Sequence, residues 1–386
     1  MNPAIAIAIA SAQPPLGQIP PQIACAQDYE TLARRFMAPP SYDYVAGGSG
    51  TDRTVAANLA AFAQWSLYPR VLGDVSAGHT ALTMGGERFA HPILLAPVAF
   101  QNLAHAGAEL ETARAAHATD TCLVASTLSS CRLEDVARVA GPQRWFQLYF
   151  QPRREDTLDL LERAAQAGYK AIVVTLDATI QAASLGALRA GFRMPPECVA
   201  ANLRDYPPAP SVALQAGQSR IFQGAMAAGR APSWADLAWL LAATSLPVWV
   251  KGVLHPHDAC ALGQAGVAGL VVSNHGGRGL DGAIASLDAL PAIRAAIKPG
   301  LPLLLDGGIR CGADVFKALA LGADAVMIGR LQMYALSVAG ALGVAHMLTL
   351  LREQLEVCMA LTGCATVAAI GPGALARMAE RDRSPC

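Results

Sequence analysis

The run "VVSNHGGRGLDG" (Val271–Gly282) carries two β-branched residues straight into His275, two glycines, Arg278 and an aspartate. An imidazole and a guanidinium at the tip of a buried strand are costly to desolvate and pack poorly. They make sense where a proton must move beside something anionic. "AIVVTLD" ends on Asp177 in the same manner. A carboxylate at that height can support the imidazolium form of His275, while Arg278 fixes a carboxylate nearby. "PVWVKG" closes another apolar run on Lys251, where a lysine needs an anion. The expected role is a cation that stabilises negative charge on a cofactor ring, with Ser126, Gln147 and Thr175 as hydrogen-bond partners. "DGGIRCGAD" (Asp306–Asp314) presents two glycine amides and then a helix N-terminus, and "IGR" sets Gly329 and Arg330 beside it. That combination predicts a phosphate site. His255 and His257 in "HPH", and Cys358 with Cys364, lack the companions and spacing of metal ligands, so no metal is expected.

These residues need a scaffold that brings distant chain segments to one mouth. From Pro92 onward, eight short apolar runs recur: "PILLAPVAF", "TCLVAST", "RWFQLYF", "AIVVTLD", "PVWVKG", "GLVVSNH", "PLLLDGG" and "AVMIGR". Helical patterns separate most of them. Continuous rather than alternating apolar runs indicate strands covered on both faces, hence a parallel sheet. Eight strand–helix units predict an α/β fold, a (β/α)8 TIM barrel, whose active site lies at the C-terminal strand ends. An open doubly wound sheet is the competing reading, and the lack of a GxGxxG after the first strand counts against it. The eight strand ends then bear Pro97 and Ala99, Ser126, Gln147 and Tyr149, Thr175 and Asp177, Lys251, Ser273 with His275 and Arg278, Asp306 to Arg310, and Gly329–Arg330.

Outside the barrel, "DYETLARRFM" and "DRTVAANLAAFAQW" read as an N-terminal helical segment, and the glycine-rich "SYDYVAGGSG" between them reads as neither helix nor strand. A long loop after strand 4 (178–232) predicts a lid or disordered cover. An extended apolar C-terminal helix, "AGALGVAHMLTLLREQLEVCMALTG", is expected to dock on the barrel and to contribute to a subunit interface. The expected organisation is a disordered tail over 1–26, one barrel domain over 27–375, and a C-terminal tail over 376–386.

Composition narrows the partners. Hydrophobic residues make up 53% and charged residues 15% of the chain, enough for a large core. Twenty-nine basic residues balance 29 acidic ones, which argues against nucleic acid or an anionic membrane as the main partner. The nine cysteines are irregularly placed and include no CxxC, as expected of free thiols in a reducing compartment. No run is apolar for the length a bilayer span requires. The N-terminal "AIAIAIASA" lacks a preceding Lys or Arg, so a cytoplasmic location is expected over secretion.

Taken together, "YDYVAGG", "FQLY", "VKG", "SNHGGR.LDG" and "DGGIR.G.DVFKALALGA" resemble the FMN-dependent 2-hydroxy-acid oxidase and dehydrogenase family, from about Asp28 to about Leu375. "AGGSGT" is similar to the hydroxymandelate-oxidising members. The resemblance implies FMN as cofactor. It implies that Pro97, Ala99, Ser126, Gln147, Thr175, Lys251 and Ser273 hold the isoalloxazine and ribityl parts, and that Asp306, Gly308, Arg310, Gly329 and Arg330 hold the ribityl tail and phosphate. His275 would be the base and Asp177 its support. Arg278 would pair with the substrate carboxylate, and Tyr44 and Tyr149 would hydrogen-bond the substrate. A homo-oligomer, often a tetramer, is implied, as is an electron acceptor such as dioxygen, a quinone or another protein.

The chain departs from that family at one charge. Members usually carry a second arginine nine residues after the strand-4 threonine, where this chain has Ser184, with Arg189 five positions further on. A desolvated charge-assisted contact of that kind is worth about 1.5–3 kcal/mol. Leu128 also stands where relatives often have an aromatic residue. The expected activity is oxidation of a 2-hydroxy acid, or of a bulky, aromatic or esterified α-hydroxy carbonyl compound. The alternatives are a flavin-binding accessory protein without acid oxidation and, against the hydroxy-acid motifs, an FMN-barrel prenyl diphosphate isomerase.

Overall fold

The computed structural model describes residues 12–208, 213–226 and 231–378. Eight parallel strands close into a barrel in sequence order: Ile93–Leu95, Leu123–Ser126, Arg144–Leu148, Ile172–Thr175, Val248–Val253, Gly269–Val272, Leu303–Asp306 and Ala325–Ile328. Alternation along each strand divides the side chains into two sets. One set faces outward into a core shared with the surrounding helices, and includes Phe146, Leu148, Ile172, Val174 and Leu305. The other faces inward, where Leu94, Val124, Trp145, Val173, Trp249, Val271 and Leu304 pack together. A hairpin, Leu82–Met84 with Glu87–Phe89, adds Met84 and Phe89 to this inner cluster. The barrel is therefore a packed plug beneath its mouth, not a channel.

Most helices lie where apolar periodicity predicts. In Arg154–Gln166 the buried positions are Asp156, Thr157, Leu160, Leu161 and Ala164, a single stripe at helical spacing. One helix is a correction. Pro39–Ala46 is helical, so "SYDYVA" belongs to a helix and only the glycines after it form the loop. Prolines at the first two positions are compatible with a helix start, because those amides have no intrahelical acceptor.

The described part of the loop after strand 4 carries regular structure rather than forming a disordered cover, and residues 209–212 and 227–230 lie outside the described residues. It contains a helix at Leu185–Arg189 and a 3-10 turn at Ala201–Leu203, and a further helix, Trp234–Ala243, follows it. Asn202 bolts the turn to strand 2: its Nδ2 donates to the carbonyls of Ser126 and Thr127, each at 3.2 Å, and its Oδ1 accepts from Leu133 N at 2.7 Å.

The chain ends differ from the expected tails within the described residues. Gln13 N donates to Arg35 O at 2.9 Å, Leu16 N donates to Val338 O at 2.8 Å, and Ile23 and Ala26 are buried, so residues 12–26 pack against the domain. Residues 1–11 and 379–386 lie outside the described residues. Leu375–Arg377 pairs antiparallel with Trp65–Leu67, which carries the domain past residue 375. The last helix, Arg330–Thr362, is interrupted at Ala339–Gly340 and docks through Leu348, Leu351, Leu355 and Met359. Contrary to the expectation that no run is apolar for the length of a bilayer span, it is long and apolar enough to cross a membrane, but 67% of its most apolar window is buried against the protein, as in a core helix.

Candidate active site

Two residues beyond the inner apolar layer, the same alternation turns Ser126, Gln147, Thr175, Lys251, Ser273 and Asp306 toward the barrel axis, all buried. Strand register aligns them: Ser126 lies opposite Gln147, and Thr175 opposite Lys251. Lys251 Nζ donates to Ser273 Oγ at 2.8 Å and lies 2.9 Å from Asp306 Oδ2. Burial pulls the Lys251 pKa down, but the carboxylates of Asp306 and Asp177 outweigh it and hold the amine above its ordinary value. The cation is therefore permanent.

His275 stands just past strand 6, in the left-handed region at φ 57, and is followed by Gly276 and Gly277, also at positive φ. Its Nδ1 lies 2.8 Å from Asp177 Oδ1. Burial pushes the Asp177 pKa up, yet Lys251 and the His275 bond more than cancel this, so the carboxyl is held below its ordinary value and stays ionised. An ionised Asp177 accepts Nδ1–H and leaves His275 Nε2 as the nitrogen available to take a proton. The approach of Asp177 depends on a β-bulge: Gly252 has φ 103, and a Cβ there would meet Asp177 Cβ and Cγ at 2.5 Å.

Thirteen of the seventeen anticipated residues line one cavity: Tyr44, Pro97, Ala99, Ser126, Tyr149, Lys251, His275, Arg278, Asp306, Gly308, Arg310, Gly329 and Arg330. Gln147, Asp177 and Ser273 adjoin that wall through hydrogen bonds to Ser126, His275 and Lys251, and Thr175 lies opposite Lys251 in the strand register. Phe100, Gln181 and Met333 also line it and were not anticipated. Phe100 has φ 51 just after strand 1, and nothing in its local sequence marks it. Gln181 lies in the loop after strand 4, which has no periodicity to read. Tyr149 is kept a neutral phenol, burial raising its pKa to about 12 against the opposing pull of Lys251. Tyr44 stacks on Phe192 of the strand-4 loop, ring centroids 4.2 Å apart.

The cationic rim is unbalanced. Arg310 Nε reaches Glu30 Oε2 at 2.8 Å. Arg278 Nη2 donates to the carbonyls of Tyr44 and Val45, at 3.0 and 2.9 Å. Arg330 donates to the carbonyls of Val45, Gly276 and Gly47, at 3.0, 2.8 and 2.7 Å. Among the described residues neither Arg278 nor Arg330 has a carboxylate partner. Burial, with Arg278 close by, pulls the Arg330 pKa below its ordinary value, so an anion placed beside it would be strongly favoured.

Three further observations fit FMN. Gln147 Oε1 is occupied by Ser126 Oγ and Thr127 N, both at 3.2 Å, while its Nε2 is buried without a partner. Thr175 Oγ1 and Asp306 Oδ1 are buried and partnerless as well. Such orphans demand explanation in a native site, and a heteroaromatic ring with a hydroxylated tail supplies the missing donors and acceptors. Gly307 and Gly308, at φ 96 and 86, open their backbone on the same side as Arg310 and Arg330, as a phosphate cradle requires.

Ser184 does not enter the cavity wall. Its Oγ accepts from Ala187 N at 3.3 Å and caps the helix Leu185–Arg189, where Arg189 is exposed. Arg278 is thus the guanidinium beside His275, and Leu128 lines the wall nearby.

Comparison with known proteins places these features in context. A family model described as FMN-dependent dehydrogenase matches residues 33–377. A protein named L-lactate oxidase, from Alicycliphilus denitrificans, is 65% identical over 357 residues, covering 92% of this chain and 97% of that protein. A protein named 4-hydroxymandelate oxidase, from Amycolatopsis orientalis, is 42% identical over 342 residues, covering 89% and 95%. A crystal structure of mandelate oxidase with (S)-2-phenylpropionate matches with a TM-score of 0.81 at 40% identity, covering 90% of this chain and 96% of that one.

Proposed function

Because the chain belongs to the FMN-dependent 2-hydroxy-acid oxidase family, whose members act on the CH–OH group of their donors, we propose that its own substrate is a short L-2-hydroxy acid of the lactate type and that dioxygen is the electron acceptor. The observation that carries this reading is the 65% identity, over nearly the full length of both chains, to a protein named L-lactate oxidase. Nothing among the relatives supports an accessory protein without catalysis.

In this reading Arg278 holds the substrate carboxylate, helped by the hydroxyls of Tyr44 and Tyr149. His275 Nε2 takes a proton from the substrate hydroxyl or its α-carbon, and the ionised Asp177 stabilises the imidazolium that results. FMN, when bound, supplies a two-electron acceptor. Pro97, Ala99, Ser126, Gln147, Thr175 and Ser273 would hold its isoalloxazine and ribityl parts. Lys251 provides the fixed positive charge that favours electron-rich states in a dry pocket. Asp306, Gly308, Arg310, Gly329 and Arg330 would hold the tail and phosphate.

A second reading, a bulkier aryl or esterified donor, is favoured by Leu128 in the wall and by the use of Ser184 as a helix cap, which leaves one carboxylate anchor. We also propose a homo-oligomer. Val71, Leu72 and Leu361 are 88, 102 and 62% exposed, and the hydrogen bond from Arg70 N to Leu361 O, at 2.9 Å, places them side by side.

Anaerobic bleaching of the yellow holoprotein by L-lactate, glycolate, mandelate and their methyl esters separates the readings. L-Lactate is expected to bleach fastest, and admitting air to yield one hydrogen peroxide per pyruvate. Fastest bleaching by a mandelate ester would establish the second reading instead. His275→Ala is expected to keep the flavin and to lose roughly 10²- to 10⁴-fold in bleaching rate; a variant that bleaches normally would remove His275 as the base.

A further inference from the structure

His275 occupies a backbone conformation that a residue with a Cβ rarely adopts, so something must hold it there. The preceding residue, Asn274, is buried and uses its whole amide. Its Oδ1 accepts from Gly277 N at 3.2 Å and from Asn58 Nδ2 at 2.8 Å. Its Nδ2 donates to Asn58 Oδ1 at 2.7 Å and to Ile284 O at 3.0 Å. Asn58 and Asn274 therefore form a reciprocal amide pair, both within a few per cent of complete burial.

Asn58 is not a barrel residue. It sits on the helix Arg53–Ala63, and its Oδ1 also accepts from Ser286 N at 3.1 Å, at the start of the helix after strand 6. Its other side faces the phosphate loop. A Cβ on Gly307 would lie 3.2 Å from Asn58 Nδ2, and one on Gly308 would strike the Asn58 carbonyl. One residue thus binds the turn that carries the base through its side chain and packs closely against the glycines that would cradle the cofactor tail.

We infer that Asn58 is a positioning residue for the oxidation: its amide pair with Asn274 fixes the His275 turn so that Nδ1 meets Asp177. The inference rests on the 2-hydroxy-acid oxidation common to the family, whichever acid is the substrate. Asn58 does not touch His275 and does not itself line the cavity, so its side chain reaches the base through Asn274.

The test uses FMN-loaded Asn58→Ala, Asn274→Ala and the double variant. Each is expected to lower the rate of anaerobic flavin reduction roughly 10- to 100-fold, with KM for the acid within about threefold of the parent. The double variant should match the singles within about twofold, because the two act as a unit. Proton NMR of histidine-labelled protein without FMN adds a readout independent of turnover. The downfield Nδ1–H resonance absent from His275→Ala should also be lost in Asn58→Ala. Should Asn58→Ala fail to fold, Asn58→Asp keeps the size and one acceptor oxygen but sets a carboxylate oxygen against Asn274 Oδ1 where the donor was, and it should show at least the same slowing. Parental reduction rates with a lowered melting temperature, a multiplicative double variant, or an unchanged Nδ1–H resonance would each overturn the inference. A parent protein that no 2-hydroxy acid bleaches would refute the functional reading instead, and the NMR comparison would still decide the role of Asn58.

Discussion

Arg330 is a half-buried guanidinium on the cavity wall whose hydrogen-bond partners are three backbone carbonyls, with another arginine, Arg278, close by. Burying a charge without a counter-charge destabilises a protein unless a ligand supplies the balance. Arg330→Met should therefore leave the FMN-free protein no less stable, while weakening FMN by about 1.5–3 kcal/mol, roughly 10- to 100-fold. Riboflavin, which has no phosphate, should bind the variant and the parent alike. Fluorescence titration with both flavins, together with thermal unfolding without flavin, checks all three expectations. Equal losses for the two flavins would place the phosphate elsewhere. The type and position of Arg330 were readable from "IGR" after a strand. Its carbonyl shell was not, because Val45, Gly47 and Gly276 come from segments far away in sequence.

The strand is the element that sets the active-site geometry. Period-2 alternation alone predicts that Lys251 shares a face with Trp249 and lies one layer above it. The bulge at Gly252 then breaks the register between Lys251 and Val253 and opens the space that Asp177 fills. Gly252→Ala is expected to cost about 1–3 kcal/mol in unfolding free energy, since it forces a left-handed φ on a residue with a Cβ and crowds a carboxylate. Flavin reduction should slow as well, because Asp177 would be displaced from His275. Denaturant unfolding and single-turnover reduction measure the two effects, and unchanged reduction would show that the bulge does not position Asp177. The helix Pro39–Ala46 teaches the complementary lesson. Its glycine-rich neighbourhood reads as a loop, yet Ser41, Tyr42 and Val45 are buried against the rest of the domain. Packing on that face overrides the weak local signal.

For the whole molecule, the exposed cluster of Val71, Leu72 and Leu361 is expected to be covered by another copy of the chain. Leu72→Asp should reduce the sedimenting mass to that of one chain without loss of bound FMN, and an unchanged mass would remove this patch from the interface. The barrel itself was legible early: eight apolar runs separated by helical patterns leave few ways to hide a parallel sheet. The residues at the strand tips were legible for the same reason, since a charge or a glycine at the end of a buried run has no structural excuse. By itself, the sequence determined the strand count, the order in which chemistry meets the mouth, and the identities of His275, Asp177, Lys251 and Arg278. Only the tertiary structure decided that Phe100 and Gln181 enter the cavity wall, and that Asn58 grips Asn274. Those choices depend on which distant amides and carbonyls are left unsatisfied after the chain closes on itself, and no local pattern of residues encodes that.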